Sequence, residues 1–179
     1  MNLRPGLLVG VLLVLLPTPL TAHEGHRHEE GFQLAAPAFP PGGAIPAKYA
    51  RAGENVSPHL KVTGVPKGAK SLALVLHDPD APNGNWTHWI VYNLPPDTTG
   101  FSSQKLPSGA DQGTNSWGRA AYDGPAPPSG SGRHRYVFTL YALDQKLSAD
   151  QPMTAAELAA RIKEHLLATA TLTGTFQAK

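Results

Sequence analysis

The chain contains no cysteine. No disulfide can staple it and no lipidated cysteine can anchor it, so a folded domain must rest on its apolar core. Charge of one sign is scarce too. The formal net charge is +2 over 179 residues, and no basic stripe is present. The electrostatic footprint of a nucleic-acid-binding protein is therefore absent. Long apolar runs are missing: GLLVGVLLVLL at 6–16 falls short of the ~20 residues a spanning helix needs. HExxH, GxSxG and Walker patterns do not occur, and there is no internal repeat.

What is abundant is Gly and Pro, 18 of each. Many turns and a β-rich, loop-rich fold follow. The length suits one domain with a sizeable core. At the start, Arg4, the apolar run and PTPLTA at 17–22 have the three-part layout of a signal peptide cut after Ala22. The expected protein is periplasmic or secreted, with no spanning segment after processing; an uncleaved anchor is the alternative. HEGHRHEE at 23–30 places His23, His26 and His28 among Glu24, Glu29 and Glu30. Such a tract binds copper, zinc or nickel loosely, or is simply a solvated leader. The expected organisation is a signal peptide at 1–22, a flexible leader at 23–36 and a single domain at 37–179.

SLALVLHD at 71–78 is a continuous apolar run stopped by Pro79, which predicts a strand buried on both faces. WTHWIVYNLP at 86–95 and RHRYVFTLYALD at 133–144 predict two more strands, with a shorter one at 60–62. The stretch 31–50 holds only short extended pieces. Residues 107–132 predict a long ordered loop, a common home for function. Thr154 and Glu157 form a capping box that opens a helix over 154–170. Leu158, Ile162, Leu166 and Thr169 fall on one stripe, so the helix covers one face of the β structure. His165 lies beside that stripe as a packed or rim residue. A closing strand follows at 170–176.

Strict alternation puts Trp86, His88, Ile90 and Tyr92 on one face, with Trp89 on the other. In the later strand His134, Tyr136, Phe138 and Leu140 share a face. Asp78 and Asp80 stand where the first strand runs out. If these strands adjoin, Asp78, His88, His134 and Tyr136 converge on a pocket with an apolar floor and a polar mouth. Imidazole N–H groups, a phenol and the Gly-rich loop DGPAPPSGSGRHRY at 123–136 donate to an anion. The carboxylate accepts from a protonated phosphate oxygen or an ammonium group. A phosphomonoester or zwitterion suits such a site. Asp80 is expected to be a turn residue, Arg119 and Asp123 to pair structurally, and Arg135 and Tyr141 to point away. A competing enzyme reading uses Asp78, His88 and His134 as an acid–base set or as a metal-binding facial triad. Ser129 and Ser131 lie near His134 in sequence, but neither an elbow nor a base in reach is visible there. Binding without catalysis is the favoured expectation, with no cofactor.

DPDAP at 78–82, the W-x-H of WTHW at 86–89 and GPAPPSGSGRHRY at 124–136 resemble the signature blocks of the phosphatidylethanolamine-binding proteins. The stretches 53–82 and 121–128 are most similar to the bacterial, Raf-kinase-inhibitor-like branch. The resemblance runs from Phe39 to Phe176. It implies a mainly β fold in which a large central antiparallel sheet packs on a smaller one, with C-terminal helical cover. It implies a pocket for phosphate-like anions and the phosphoethanolamine head group, built from Asp78, Pro82, Trp86, His88, Pro128, His134 and Tyr136. Bacterial relatives often carry Cys-Asp-Gly where this chain has Arg51-Ala52-Gly53, so a polar contact near the entrance is expected to be lost. The relatives imply a homodimer, although the residues carry no dimer signal of their own. They imply modulation of a partner protein, whose identity the residues do not reveal; the exported leader argues against a cytosolic kinase-inhibitor role.

Overall fold

The apolar run SLALVLHD is the middle strand of the larger of two sheets. The computed structural model describes residues 31–178. The expected signal peptide and the His23, His26 and His28 tract lie outside the described residues. In chain order the elements are β1 (Gln33–Ala35), β2 (Leu60–Thr63), β3 (Ser71–Asp78), β4 (Trp86–Leu94), β5 (Gly100–Phe101), β6 (Asp111–Gln112), β7 (His134–Leu143), α1 (Ala155–His165) and β8 (Leu166–Phe176). One sheet has three strands in the order β1-β2-β5. The other has five, in the order β6-β4-β3-β7-β8. All the strand pairings are antiparallel.

β3 has a neighbour on each edge and a packed layer on each face, so it has no use for polar alternation. Leu72, Leu74 and Leu76 face the smaller sheet and pack in one core with Leu34, Val62, Trp89 and Phe138. Ala73 faces the other way, into a second core with Ile90, Tyr92, Leu143 and the helix residues Leu158 and Ile162. The capping box forms as expected. Thr154 N–H donates to Glu157 at 2.7 Å, and Glu157 N–H donates back to the Thr154 hydroxyl at 3.4 Å. No helix among the described residues is long and apolar enough to cross a membrane.

Two boundaries differ from expectation. The helix stops at His165, and residues 166–170 belong to β8. Leu166 is 47% exposed rather than part of the buried stripe. The alternating Thr residues of LLATATLTGTF favour a strand. Pairing with β7 from Leu143↔Leu166 to His134↔Phe176 supplies backbone partners along its length, and that overrides a helical stripe of moderate strength. His165 is a rim histidine, its Nδ1 2.9 Å from Asp144. At the other end, Gln33–Ala35 pair with Lys61–Thr63, so the fold begins inside the segment expected to be flexible leader up to residue 36.

A pocket at the ends of three strands

Antiparallel order brings the end of β3 beside the starts of β4 and β7. Asp78 pairs with Trp86, and His77 pairs with Val137. The β3–β4 register slips between Leu76↔Trp89 and His77↔Thr87, which leaves His88 as an extra residue. This bulge corrects the expected alternation. Trp86 and Trp89 pair with Asp78 and Leu76, two residues apart on β3, so both indoles lie on one face instead of opposite faces. His88 is re-aimed as well. Its ring meets Tyr136 edge-on at 5.2 Å, while Ile90 and Tyr92 turn into the helix-side core. Trp89 is fully buried core, its indole N–H donating to Gln112 at 2.9 Å.

Asp78 organises the mouth. Its Oδ2 lies 2.8 Å from His134 Nδ1, and its Oδ1 accepts the Asp80 N–H at 2.8 Å. The second bond is an Asx turn that fixes the DPDAP loop. His134 Nε2 is 2.9 Å from the Ser131 hydroxyl, which also lies 2.7 Å from the Pro128 carbonyl. Asp80 accepts from the Arg135 backbone N–H and side chain, which holds its carboxyl at about 2. It pins the loop to β7 rather than capping its own turn.

His88 faces two carbonyls, with Nδ1 2.8 Å from Asp123 O and 3.1 Å from Gly124 O. Nδ1 must therefore carry a proton. Burial pushes the ring's pKa below the ordinary value, and the carbonyls only partly oppose it. His88 is thus neutral, with a lone pair at Nε2. A polar network positions those carbonyls. The Asp123 carboxylate, fully buried, accepts from Asn115 at 2.7 Å and from Arg119 Nε at 3.1 Å. Asn55 and Arg51 complete the set at 3.3 and 3.4 Å. Burial alone would raise this carboxyl; the bonds from Arg119, Asn115 and Asn55 outweigh it and hold it low. The expected Arg119–Asp123 pair is present. Arg51, in the stretch where a polar contact was expected to be lost, supplies one of its own and lies over the Trp117 ring at 5.0 Å.

The resulting cavity holds about 200 Å³. Asp78, Pro82, Trp86, His88, Pro128 and His134 line it. Tyr136 does not: it is fully buried, packed edge-on against the His88 ring behind the lining residues. Burial pushes its hydroxyl pKa up, and Asp78 adds to the effect. The hydroxyl approaches Asp78 and the Ala126 carbonyl without a hydrogen bond of normal geometry. The Trp86 indole N–H is likewise buried and unpartnered among the described residues. Trp117, which sequence reasoning missed, closes one side, its ring 5.2 Å from Trp86 and 5.1 Å from His88. Its signal was an isolated indole in the polar loop at 107–132. A wider groove beside α1 holds about 670 Å³, but its Glu157 is spent on the helix cap. No group of three or more His, Asp or Glu side chains among the described residues is arranged to hold a metal ion, so Asp78, His88 and His134 do not fit a facial triad.

Two packed antiparallel sheets with a small polar-mouthed cavity at the strand ends define a mainly β protein. The family model for phosphatidylethanolamine-binding protein matches residues 35–177, and the chain belongs to that family. A UPF0098 protein of Methanothermobacter thermautotrophicus is 44% identical over 149 residues, covering 80% of this chain and 97% of the relative. The UPF0098 protein YbhB of Escherichia coli is 42% identical over 132 residues, covering 69% and 83%. Among solved structures, the phosphatidylethanolamine-binding protein homolog CT736 of Chlamydia trachomatis superposes with a TM-score of 0.78 at 40% identity, covering 83% of this chain and 99% of that one. YbcL of E. coli, described as a member of the mammalian family, gives 0.77 at 33% identity with the same coverage. The expected fold class holds, and the family fold suggests small-ligand binding.

Proposed function

We propose that this protein is an exported binder of a small phosphate-bearing or zwitterionic head group, of the phosphate or phosphoethanolamine kind, and that it captures the ligand without turning it over. The observation that carries this reading is the pair of imidazoles with opposite hydrogen-bonding roles. His88, neutral with its proton on Nδ1, offers an acceptor at Nε2. His134, tied to Asp78 through Nδ1, meets the rim through Nε2 beside the Ser131 hydroxyl. The His88 ring accepts a hydrogen bond from a P–OH group while the His134 side donates to a phosphoryl oxygen. Such a site selects a phosphomonoester monoanion, since a dianion would be repelled by Asp78. The Trp86 and Trp117 rings are suited to an ammonium group. The buried indole N–H of Trp86, which lines the cavity without a partner among the described residues, costs about 1–3 kcal/mol, and a ligand oxygen can recover it.

Calorimetry with inorganic phosphate and with phosphoethanolamine tests the reading. His134→Ala should weaken binding by about 1.5–3 kcal/mol, the value of a charged hydrogen bond. Unchanged affinity would remove this pocket from consideration. Export rests on the arrangement of residues 1–22 and is checked by cell fractionation. Loose metal capture by His23, His26 and His28 is a separate reading. Deleting 23–30 should then lower copper or zinc uptake. Association of two copies, implied by the family resemblance, is checked by sedimentation.

A further inference from the structure

We propose that Ser131 is a nucleophile activated by His134, with Asp78 as the positioning residue, and that activated esters or phosphonyl fluorides small enough for the adjoining cavity modify it once per chain. Ser131 Oγ lies 2.9 Å from His134 Nε2, and His134 Nδ1 lies 2.8 Å from Asp78 Oδ2. These are the contacts that define a serine nucleophile, its base and the group that orients the base. The order along the chain is Asp, Ser, His, and no GxSxG elbow is involved. The histidine and aspartate side chains are each 4% exposed, so the pair is shielded and its geometry fixed. Ser131 stands at the exposed rim, where an electrophile arrives from solvent. Gly130 and Gly132, both with positive φ, turn the loop back so that a residue three positions before His134 can reach its ring.

The proton inventory defines the reactive state. The single hydroxyl proton of Ser131 has two acceptors in reach, the Pro128 carbonyl at 2.7 Å and His134 Nε2. When His134 is doubly protonated, Nε2 donates to Oγ and the hydroxyl donates to Pro128, an unreactive arrangement. When His134 is neutral, with its proton on Nδ1 toward Asp78, Nε2 is a free base facing the hydroxyl. With an alkyl fluorophosphonate the Oγ–P bond then forms and the P–F bond breaks. Fluoride leaves with the bonding pair, and the hydroxyl proton passes to Nε2 and on to solvent.

The test treats the full chain with an alkyl fluorophosphonate and follows intact mass, then maps the modified peptide. One phosphonyl group on Ser131 is expected. Ser131→Ala should abolish it, and Ser129→Ala, two residues away, should leave it unchanged. Asp78→Asn should slow labelling by about a hundredfold, the scale of a lost general-base contribution, with partial recovery in Asp78→Glu, which a purely structural role for Asp78 would not produce. Labelling of Ser131 no faster than Ser129, or no faster than in urea-unfolded chain, overturns the proposal. Calorimetry of phosphate on the unlabelled protein separates the outcomes: binding without labelling defeats only the nucleophile, and labelling without binding defeats only the ligand reading.

Discussion

His134 Nδ1 and Asp78 Oδ2 meet at 2.8 Å across two adjacent strands, each side chain only 4% exposed. The residues are 56 positions apart in sequence and join because β3 and β7 are antiparallel neighbours. A carboxylate in so dry a place persists only when its lone pairs are used, and the Asp80 N–H uses the other oxygen. Removing the acceptor should therefore be costly. Asp78→Leu is expected to destabilise the fold by about 3–5 kcal/mol, because it strands a buried imidazole. Asp78→Asn, which keeps one acceptor but turns an amide N–H toward the other donor, should cost less, about 1–3 kcal/mol. Urea denaturation checks both; equal losses would show that shape, not the hydrogen bond, matters here.

The pH dependence of stability follows from His77 and His88. Burial lowers the pKa of both rings, and the charge on Asp78 only partly opposes it. The unfolded chain, with ordinary histidines near ~6.5, takes up protons first as pH falls. The stabilising preference for neutral rings is fully present above that value. It is lost as pH drops from ~6.5 through the depressed folded values. The denaturation midpoint should thus decline as the pH falls below ~6.5. His88→Gln should flatten part of that decline; an equally steep profile in the variant would assign the protons elsewhere.

Trp117 shows how much of the pocket depends on packing. Its ring makes edge contacts with Trp86 and His88, and Arg51 lies over it. Each aromatic pair is worth about 0.5–1.5 kcal/mol beyond its area. Trp117→Ala should weaken phosphoethanolamine binding about tenfold or more, while Trp117→Phe should retain most of the affinity. Fluorescence titration with the remaining indoles measures it. If Ala and native chains bind alike, the loop is not a wall of the ligand site.

The strands that build the site were legible because their residues are simple in character. Ser71–Asp78 reads as one apolar run, and Trp86–Leu94 and His134–Leu143 as aromatic and β-branched runs, with boundaries close to those expected. Convergence of Asp78, His88 and His134 followed once the strands adjoined. The direction of His88 did not follow, because a bulge is a property of pairing with β3 and leaves no mark in the residues of β4 alone. Ser131 was visible only as a neighbour of His134 in sequence; the loop conformation brings its hydroxyl to the ring. The end of α1 was misplaced for a related reason. Leu166 and Thr169 fit a helical stripe, but β7 offers them strand partners that no local pattern records.

Gly124 ties the loop backbone to the chemistry of His88. A Cβ built there would lie 2.0 Å from the Tyr49 carbonyl oxygen, which belongs to backbone and cannot swing away. The Gly124 N–H also donates to Asn55 Oδ1 at 2.9 Å, and its carbonyl shares His88 Nδ1 with Asp123. Gly124→Ala must push the two segments apart, and the displaced carbonyls loosen their hold on the ring. The expected cost is about 1–3 kcal/mol of stability, as for an overpacked core. His88 should then titrate closer to the ordinary histidine value, since solvent enters where the carbonyls withdraw. Gly130 supplies the control. No atom lies within 4 Å of a Cβ there, although its φ of 79° strains any other residue. Gly130→Ala should cost about 1 kcal/mol and leave the His88 titration in place. NMR titration of the His88 ring protons in the two variants decides between them, and matching shifts would mean that close packing at 124 does not govern the site.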